Sequence, residues 1–182
     1  MTNFQEKTTS TEEIFQGSVI SLQVDTVTLP NGNESKRELV KHPGAVAVIA
    51  QTSEDKLILV KQFRKALEKE ILEIPAGKID LGEEPIKTAE RELREETGYT
   101  ADSLSLLSSF YTSPGFADEI IYIYEATGLT RGEAQPDEDE FVEIVEADLV
   151  TAKRYAENHL IHDAKTMYAL MYLELKQAKR QS

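Results

Sequence analysis

The stretch "AGKIDLGEEPIKTAERELREETGYT", Ala76 to Thr100, crowds Glu90, Glu92, Glu95 and Glu96 around only Arg91 and Arg94. Pro85 suits a first helical position and Gly98 the residue just past a helix end, while Ile86, Ala89, Leu93 and Thr97 recur at helical spacing. The spacing predicts a helix of about thirteen residues. On it Glu92 and Glu96 lie roughly 40° apart, with Glu95 about 60° to the other side of Glu92, all beside the core-facing stripe. Like charges three or four apart cost a helix ~0.2–0.5 kcal/mol per pair. Acids in the last turn oppose the helix dipole by ~0.3–1 kcal/mol each when exposed. A solvated charged face is the plain reading of a Glu-rich helix. A hard cation accounts for the crowding better, because Mg²⁺ takes oxygen ligands, usually a few carboxylates with water and substrate phosphate. Gly77 is either an ordinary turn glycine or the point where the backbone turns to aim a carbonyl oxygen at that ion.

Upstream of this helix, "HPGAVAVIA" holds a six-residue apolar run, Ala45 to Ala50, too short for a helix and suited to a strand covered on both faces. "TSEDK" turns the chain and "LILVKQFR" returns as a strand. "ILEIPAG" reads as a third, ending at Pro75 and Gly77. Residues 1–13 are polar and expected to fray. In "VISLQVDTVTLPNGNESKRELV", Ile20, Leu22 and Val24 alternate and Val27 and Leu29 follow out of phase, which predicts a bulge or bend. Pro30, Asn31 and Gly32 turn into a second short strand through Leu39 and Val40. Such a small sheet must lean on the main domain or on another subunit. Downstream come the strands "SLSLLSSFYTSPG" and "EIIYIYEA", the acidic linker "RGEAQPDEDE" and the strand "FVEIVEA". From Asp163, a candidate N-cap, a helix is predicted with Ala164, Met167, Met171, Leu175 and Ala178 on one face. The pattern is α+β.

The 182 residues include 33 acids against 20 bases, a formal charge of −13. A chain of this length buries roughly 70% of its unfolded surface, enough for one main domain with a small appendage. Its charge repels phosphate backbones and anionic lipid, which argues against nucleic acid and membrane as partners. A polyanionic small substrate therefore needs a bound cation. The absence of cysteine excludes disulfides and thiolate metal sites. "MTNFQEKTTSTEE" has no apolar signal core and no apolar run nears the ~20 residues that span a bilayer, so a cytoplasmic location is expected.

Gly77, Glu83, Arg91, Glu92, Leu93, Glu95, Glu96 and Gly98, with Tyr99 as the bulky last position, resemble the Nudix hydrolase signature. The resemblance implies a Nudix-type α/β/α sandwich with a mixed sheet and a small N-terminal antiparallel β element. It implies a loop, helix and loop that carry divalent ions, Mg²⁺ first and Mn²⁺ or another as alternatives. The activity implied is hydrolysis of a nucleoside diphosphate linked to another group. By position, Glu92, Glu95 and Glu96 hold the metal with the Ala76 carbonyl, and Arg91 and Glu83 orient the carboxylates. Glu90 and Arg94 fall at unspecified positions and face water.

Outside the box, Pro114 in "FYTSPGFADE" lies sixteen residues after Gly98, a placement that resembles the ADP-ribose pyrophosphatase branch, as do "VKHPGAVAVI", "VKQFR" and "LEIPAGK". That likeness assigns Arg37, Arg64, Pro114 and Glu119 to substrate binding, although an Arg at a strand end is commonly just solvated. In the linker it makes Glu138 the general base and Glu140 a further metal ligand, so that Glu138, Glu95 and Arg91 serve catalysis. The three histidines offer no rival site: His42 precedes a proline, and His159 and His162 match no ligand or base pattern and are read as surface or capping residues. Residues 1–41 become a dimerisation element and 42–182 the Nudix domain of a homodimer. The expected reaction is Mg²⁺-dependent hydrolysis of ADP-ribose to AMP and ribose 5-phosphate. Its rivals are other nucleoside diphosphate sugars or dinucleoside polyphosphates as substrates, and a Nudix module that senses a nucleotide without cleaving it.

Overall fold

In the computed structural model, which describes residues 3–134 and 141–181, the chain divides into two units. One is Met1–Gly44 with Phe110–Ile120, the other Ala45–Ser109 with Ile121–Ser182. The first holds an antiparallel sheet of β1 (Lys7–Gln16), β2 (Ser21–Thr28) and β3 (Glu34–Lys41), in that order. The hairpin turns at Pro30–Gly32, where Gly32 has φ +86° and donates to the Leu29 carbonyl at 2.9 Å.

Two expectations for this unit are corrected. Residues 7–16 do not fray but form β1, whose side chains are exposed along its whole length and so leave no apolar alternation to read. The ladder with β2 holds it, together with the Thr8 and Thr11 hydroxyls, which donate to the buried Asp25 carboxylate at 3.1 and 2.8 Å. The expected bulge in the second segment is absent, since β2 pairs with β3 in unbroken register from Ser21↔Lys41 to Thr28↔Glu34. The register shifts lie on β1, between Thr8 and Ser10 and between Glu13 and Phe15. The change of phase arises because Val27 shares its buried face with Asp25, not with Leu22 and Val24.

The second unit runs β4 (Ala45–Ala50), β5 (Leu57–Arg64), β6 (Lys69–Glu73), β7 (Ala76–Lys78), α1 (Pro85–Thr97), β8 (Tyr99–Tyr111), β9 (Ile120–Arg131), β10 (Glu143–Ala147), α2 (Leu149–Glu157) and α3 (Ala164–Gln181). Its mixed sheet has the order β7-β4-β9-β8, with β4 parallel to β9 and antiparallel to β7. β5 lies between β10 and β6 in a separate antiparallel sheet. The apolar run of β4 is buried on both faces as expected. Its Val46, Val48 and Ala50 join Ala89 and Leu93 of α1, with Ile58, Tyr99 and Tyr124, in one core cluster. Together these elements make an α+β fold.

The expected third strand is in fact two. Pro75 has no amide to donate, and the chain there leaves the sheet of β5 and β6 for that of β4. α2 was not foreseen, although Asp148 caps it by accepting from the Thr151 amide at 2.7 Å. α3 begins where expected, with Asp163 Oδ1 accepting from the Thr166 amide at 3.1 Å. Its foreseen apolar face is turned outward: Met167, Met171 and Leu175 are exposed, and Lys165, Thr166, Ala169, Leu170 and Leu173 are buried.

Candidate active site

Helix α1 begins at Pro85 and stops at Gly98, whose φ of +71° is left-handed and whose amide donates to the Arg94 carbonyl at 2.8 Å. Ala89, Leu93 and Thr97 turn into the core, and this rotation carries Glu92 and Glu96 into burial beside them. Glu95 is half-buried, while Glu90 and Arg94 face water. The crowded sequence thus resolves into two sides of one helix.

The buried side meets the short strand β7 at close quarters. Glu96 Oε2 accepts from the Ala76 amide at 2.9 Å. The Glu92 carboxylate lies directly over Gly77, where an added Cβ would stand 1.9 Å from its carboxyl carbon. Gly77 is therefore glycine because a carboxylate occupies the space of a side chain; its φ is not left-handed. The preceding residues are held just as closely. The Ile74 amide donates to Thr166 Oγ1 at 3.0 Å, and the Pro75 carbonyl accepts from Val48 at 2.8 Å.

Arg91 lies among the acids. Its Nη1 donates to Glu92 Oε1 at 2.7 Å and to Glu95 Oε2 at 3.1 Å, and its Nη2 to Glu83 Oε2 at 3.0 Å. Thr88 Oγ1 steadies Glu83 at 2.9 Å. The Glu83 hydrogen bond, with the charge of Glu92 and the hydrogen bonds to Glu95 and Glu92, outweighs burial and raises the Arg91 guanidinium further above its high ordinary value. The Arg91 hydrogen bond in turn holds Glu83 below the usual carboxylate range. Among the described residues, no three carboxylates already converge into a closed metal cage. The donor set nonetheless fits a hard cation: Glu83, Glu92, Glu95 and Glu96 offer only oxygen, and a single guanidinium is shared by three of them.

Arg64, at the end of β5, has Nε and Nη2 on the Glu73 carboxylate at 2.8 and 2.6 Å. The field of Glu96 acts on it too. Burial pushes the Glu73 carboxyl up, but Arg64 and Lys165 outweigh it and hold it below its ordinary value. Neither Glu73 nor Lys165 is among the residues expected from the sequence; the available signal is an acid inside the apolar segment "ILEIP". The other assigned binding residues lie in the first unit. Arg37 is held by Glu6 at 2.8 and 2.5 Å and by Ser35 at 2.9 Å. Pro114 is exposed, in a turn whose Ser113 carbonyl accepts from Phe116 and Ala117. Glu119 accepts from Thr112 Oγ1 at 2.5 Å and faces His42 Nε2 at 3.7 Å. Glu138 and Glu140 lie outside the described residues. The backbone leading toward them is packed on the end of α1, where the Gly132 amide donates to the Gly98 carbonyl at 2.8 Å.

The family model of the NUDIX domain matches residues 41–170, and that of the nucleoside diphosphate sugar hydrolase N-terminal domain matches residues 6–40. The chain is 57% identical over 180 residues to an ADP-ribose pyrophosphatase of Bacillus subtilis (strain 168), covering 98% of this chain and 97% of the relative. It is also 57% identical over 177 residues to a methanol dehydrogenase activator of Bacillus methanolicus, covering 96% of each. An ADP-sugar pyrophosphatase of Mus musculus is 33% identical over 179 residues, 86% of this chain and 82% of the relative. Among solved structures, an ADP compounds hydrolase superposes with a TM-score of 0.84 at 24% identity, covering 99% of this chain and 98% of that one, which speaks for the fold. The glycine under Glu92, the acidic side of α1 and the matched family models agree: the chain belongs to the Nudix hydrolase family.

Proposed function

We propose that this Nudix hydrolase cleaves the pyrophosphate bond of ADP-ribose to AMP and ribose 5-phosphate, with Mg²⁺ as its ion and Mn²⁺ or another divalent ion able to replace it. Nudix hydrolases generally use divalent metal ions. The observation that carries the reading is the seating of Glu92 over Gly77 beside Glu96, with Arg91 shared by Glu83, Glu92 and Glu95. Glu92, Glu95 and Glu96 would hold the ion, joined by the Ala76 carbonyl and Glu140. Bound there, it would polarise phosphoryl oxygens and lower the pKa of a water. Arg91 and Glu83 keep the carboxylates in place. Arg64 has Nε and Nη2 committed to Glu73 and offers Nη1 to a phosphate oxygen. Arg37, Pro114 and Glu119 contribute to the substrate site, and Glu138 takes the proton of the attacking water.

The names of the pyrophosphatases among the relatives support the choice of substrate. Residues 1–41 act as a dimerisation element and 42–182 as the catalytic domain of a cytoplasmic homodimer that binds neither nucleic acid nor membrane. The division of the family models near residue 40 and the exposed Ile14 and Phe15 on β1 favour that organisation. No helix among the described residues is long and apolar enough to cross a membrane.

The test is incubation with ADP-ribose and Mg²⁺ followed by product separation, alongside Glu96→Gln and a panel of nucleoside diphosphate sugars and dinucleoside polyphosphates. AMP and ribose 5-phosphate are expected from the wild type and not from Glu96→Gln. Absence of AMP above a metal-free blank refutes the activity, and a fully active Glu96→Gln refutes the site. Faster turnover of another panel member reassigns the substrate, and tight binding with no cleavage of any member leaves a sensing module.

A further inference from the structure

Behind Arg64 lies a row of charges for which the reaction chemistry above has no use. Glu73 is 2% exposed, and its Oε2 accepts from both Arg64 Nη2 and Lys165 Nζ, each at 2.6 Å. Lys165 also reaches Asp163 Oδ1 at 2.9 Å, and that same oxygen caps α3 through the Thr166 amide. Asp163 Oδ2 is buried and has no hydrogen-bond partner among the described residues. The signs alternate along the row: the helix N-terminus, worth about +0.5 charge, then Asp163, Lys165, Glu73 and Arg64.

Stability alone is a poor reason for such an arrangement. Burying an ion costs several kcal/mol, and well-packed apolar side chains in place of buried ion pairs are often as stabilising or more so. The row ends on Arg64, whose Nη1 makes no hydrogen bond among the described residues and whose side chain is 41% exposed. If Glu73 faced Arg64 by itself, the pair would be neutral, and an incoming anion would have to draw the guanidinium away from its carboxylate. With Lys165 sharing Glu73, Arg64 stays fixed by two hydrogen bonds and still presents positive charge at Nη1.

We propose that Lys165 is a positioning residue for substrate binding: by sharing the buried Glu73 it holds the Arg64 guanidinium in one orientation and leaves it positive toward the anionic diphosphate. The inference rests on the substrate reading above. Lys165→Gln keeps an N–H for Glu73 and removes the charge. It raises KM for ADP-ribose about tenfold, in keeping with a weakened charge-assisted hydrogen bond, and leaves kcat within about twofold. Lys165→Arg restores KM. Asp163→Asn keeps the helix cap, removes the negative charge behind Lys165 and lowers KM, whereas a merely structural role predicts a rise in both neutral variants.

A folded Lys165→Gln with KM within twofold of wild type overturns the proposal, as does a fall in kcat matching the rise in KM. If Lys165→Gln does not fold, a raised KM in Asp163→Asn overturns it and a lowered one supports it. Failure of the wild type to cleave ADP-ribose refutes the substrate reading instead. The same KM ratios are then taken on the best nucleoside diphosphate sugar of the panel and judge Lys165 by the same criteria.

Discussion

Replacing Gly77 by alanine puts the seating of Glu92 to the test. The new Cβ would stand 1.9 Å from the Glu92 carboxyl carbon and 2.0 and 2.4 Å from its oxygens, where ordinary contact begins at 3.4 Å. The carboxylate must therefore retreat by about 1.5 Å, and it is the far end of a flexible side chain, so it yields before the backbone does. That retreat displaces Oε1, which now accepts from Arg91 Nη1 at 2.7 Å. The φ of Gly77 lies outside the left-handed region, so alanine is compatible with the backbone, and its effect on the unfolded chain stabilises by ~0.4–1 kcal/mol. A misplacement of about 1 Å at a reacting site costs on the order of 100-fold in rate, or ~2.7 kcal/mol of barrier. Gly77→Ala should lower kcat on ADP-ribose by about that factor and weaken Mg²⁺ binding in a calorimetric titration. Its Tm should stay within about 3 °C of wild type, since a domain of this size moves ~2–4 °C per kcal/mol. Retention of more than a third of wild-type turnover would refute the role given to Gly77. A matching collapse of Tm would assign the loss to folding.

Two other substitutions probe the frame around the site. Gly98→Ala places a Cβ 2.6 Å from the Ala134 nitrogen and 2.7 Å from the Glu133 carbonyl carbon, backbone atoms that cannot swing aside, at a φ of +71°. It should destabilise by at least ~1–2 kcal/mol, and an unchanged Tm in differential scanning calorimetry rules that out. Glu73 has a folded pKa below its unfolded value of ~4.3. Its contribution to stability is therefore complete above the unfolded value and lost as pH falls through the folded one. Glu73→Gln should be the less stable protein near neutral pH but lose less stability than wild type between about pH 5 and pH 3. Equal changes of unfolding free energy with pH, measured by urea unfolding across that range, would show that Glu73 has no such role.

Most of the site's helix was legible in the sequence because its signals are local. Pro85 and Gly98 mark its ends, and the stripe of Ala89, Leu93 and Thr97 sets which glutamates turn inward. β4 and β5 were legible for the same reason, as apolar runs bounded by turn residues. What stayed hidden depends on partners far along the chain. β1 is ordered by its ladder to β2 and by hydroxyls on Asp25, neither of which leaves an apolar period. The split at Pro75 depends on two sheets meeting there. Gly77 looked like a turn residue, and only the distance to Glu92 explains it. Lys165 and Glu73 are 92 residues apart, and nothing local to either segment pairs them. The inward face of α3 differs from the expected one because the chain buries Lys165 and Thr166, which bind Glu73 and Ile74, at the expense of two methionines.

That reversal of α3 also bears on oxidative damage. The chain has no cysteine, and apart from Met1 its sulfur is confined to Met167 and Met171, which are 40% and 66% exposed on the outer side of the helix. Peroxide converts accessible thioethers to polar sulfoxides, which disrupt a protein when they form inside its core. Here the oxygen would be added where water already stands, so the packing around β4 and α1 contains no sulfur for an oxidant to reach.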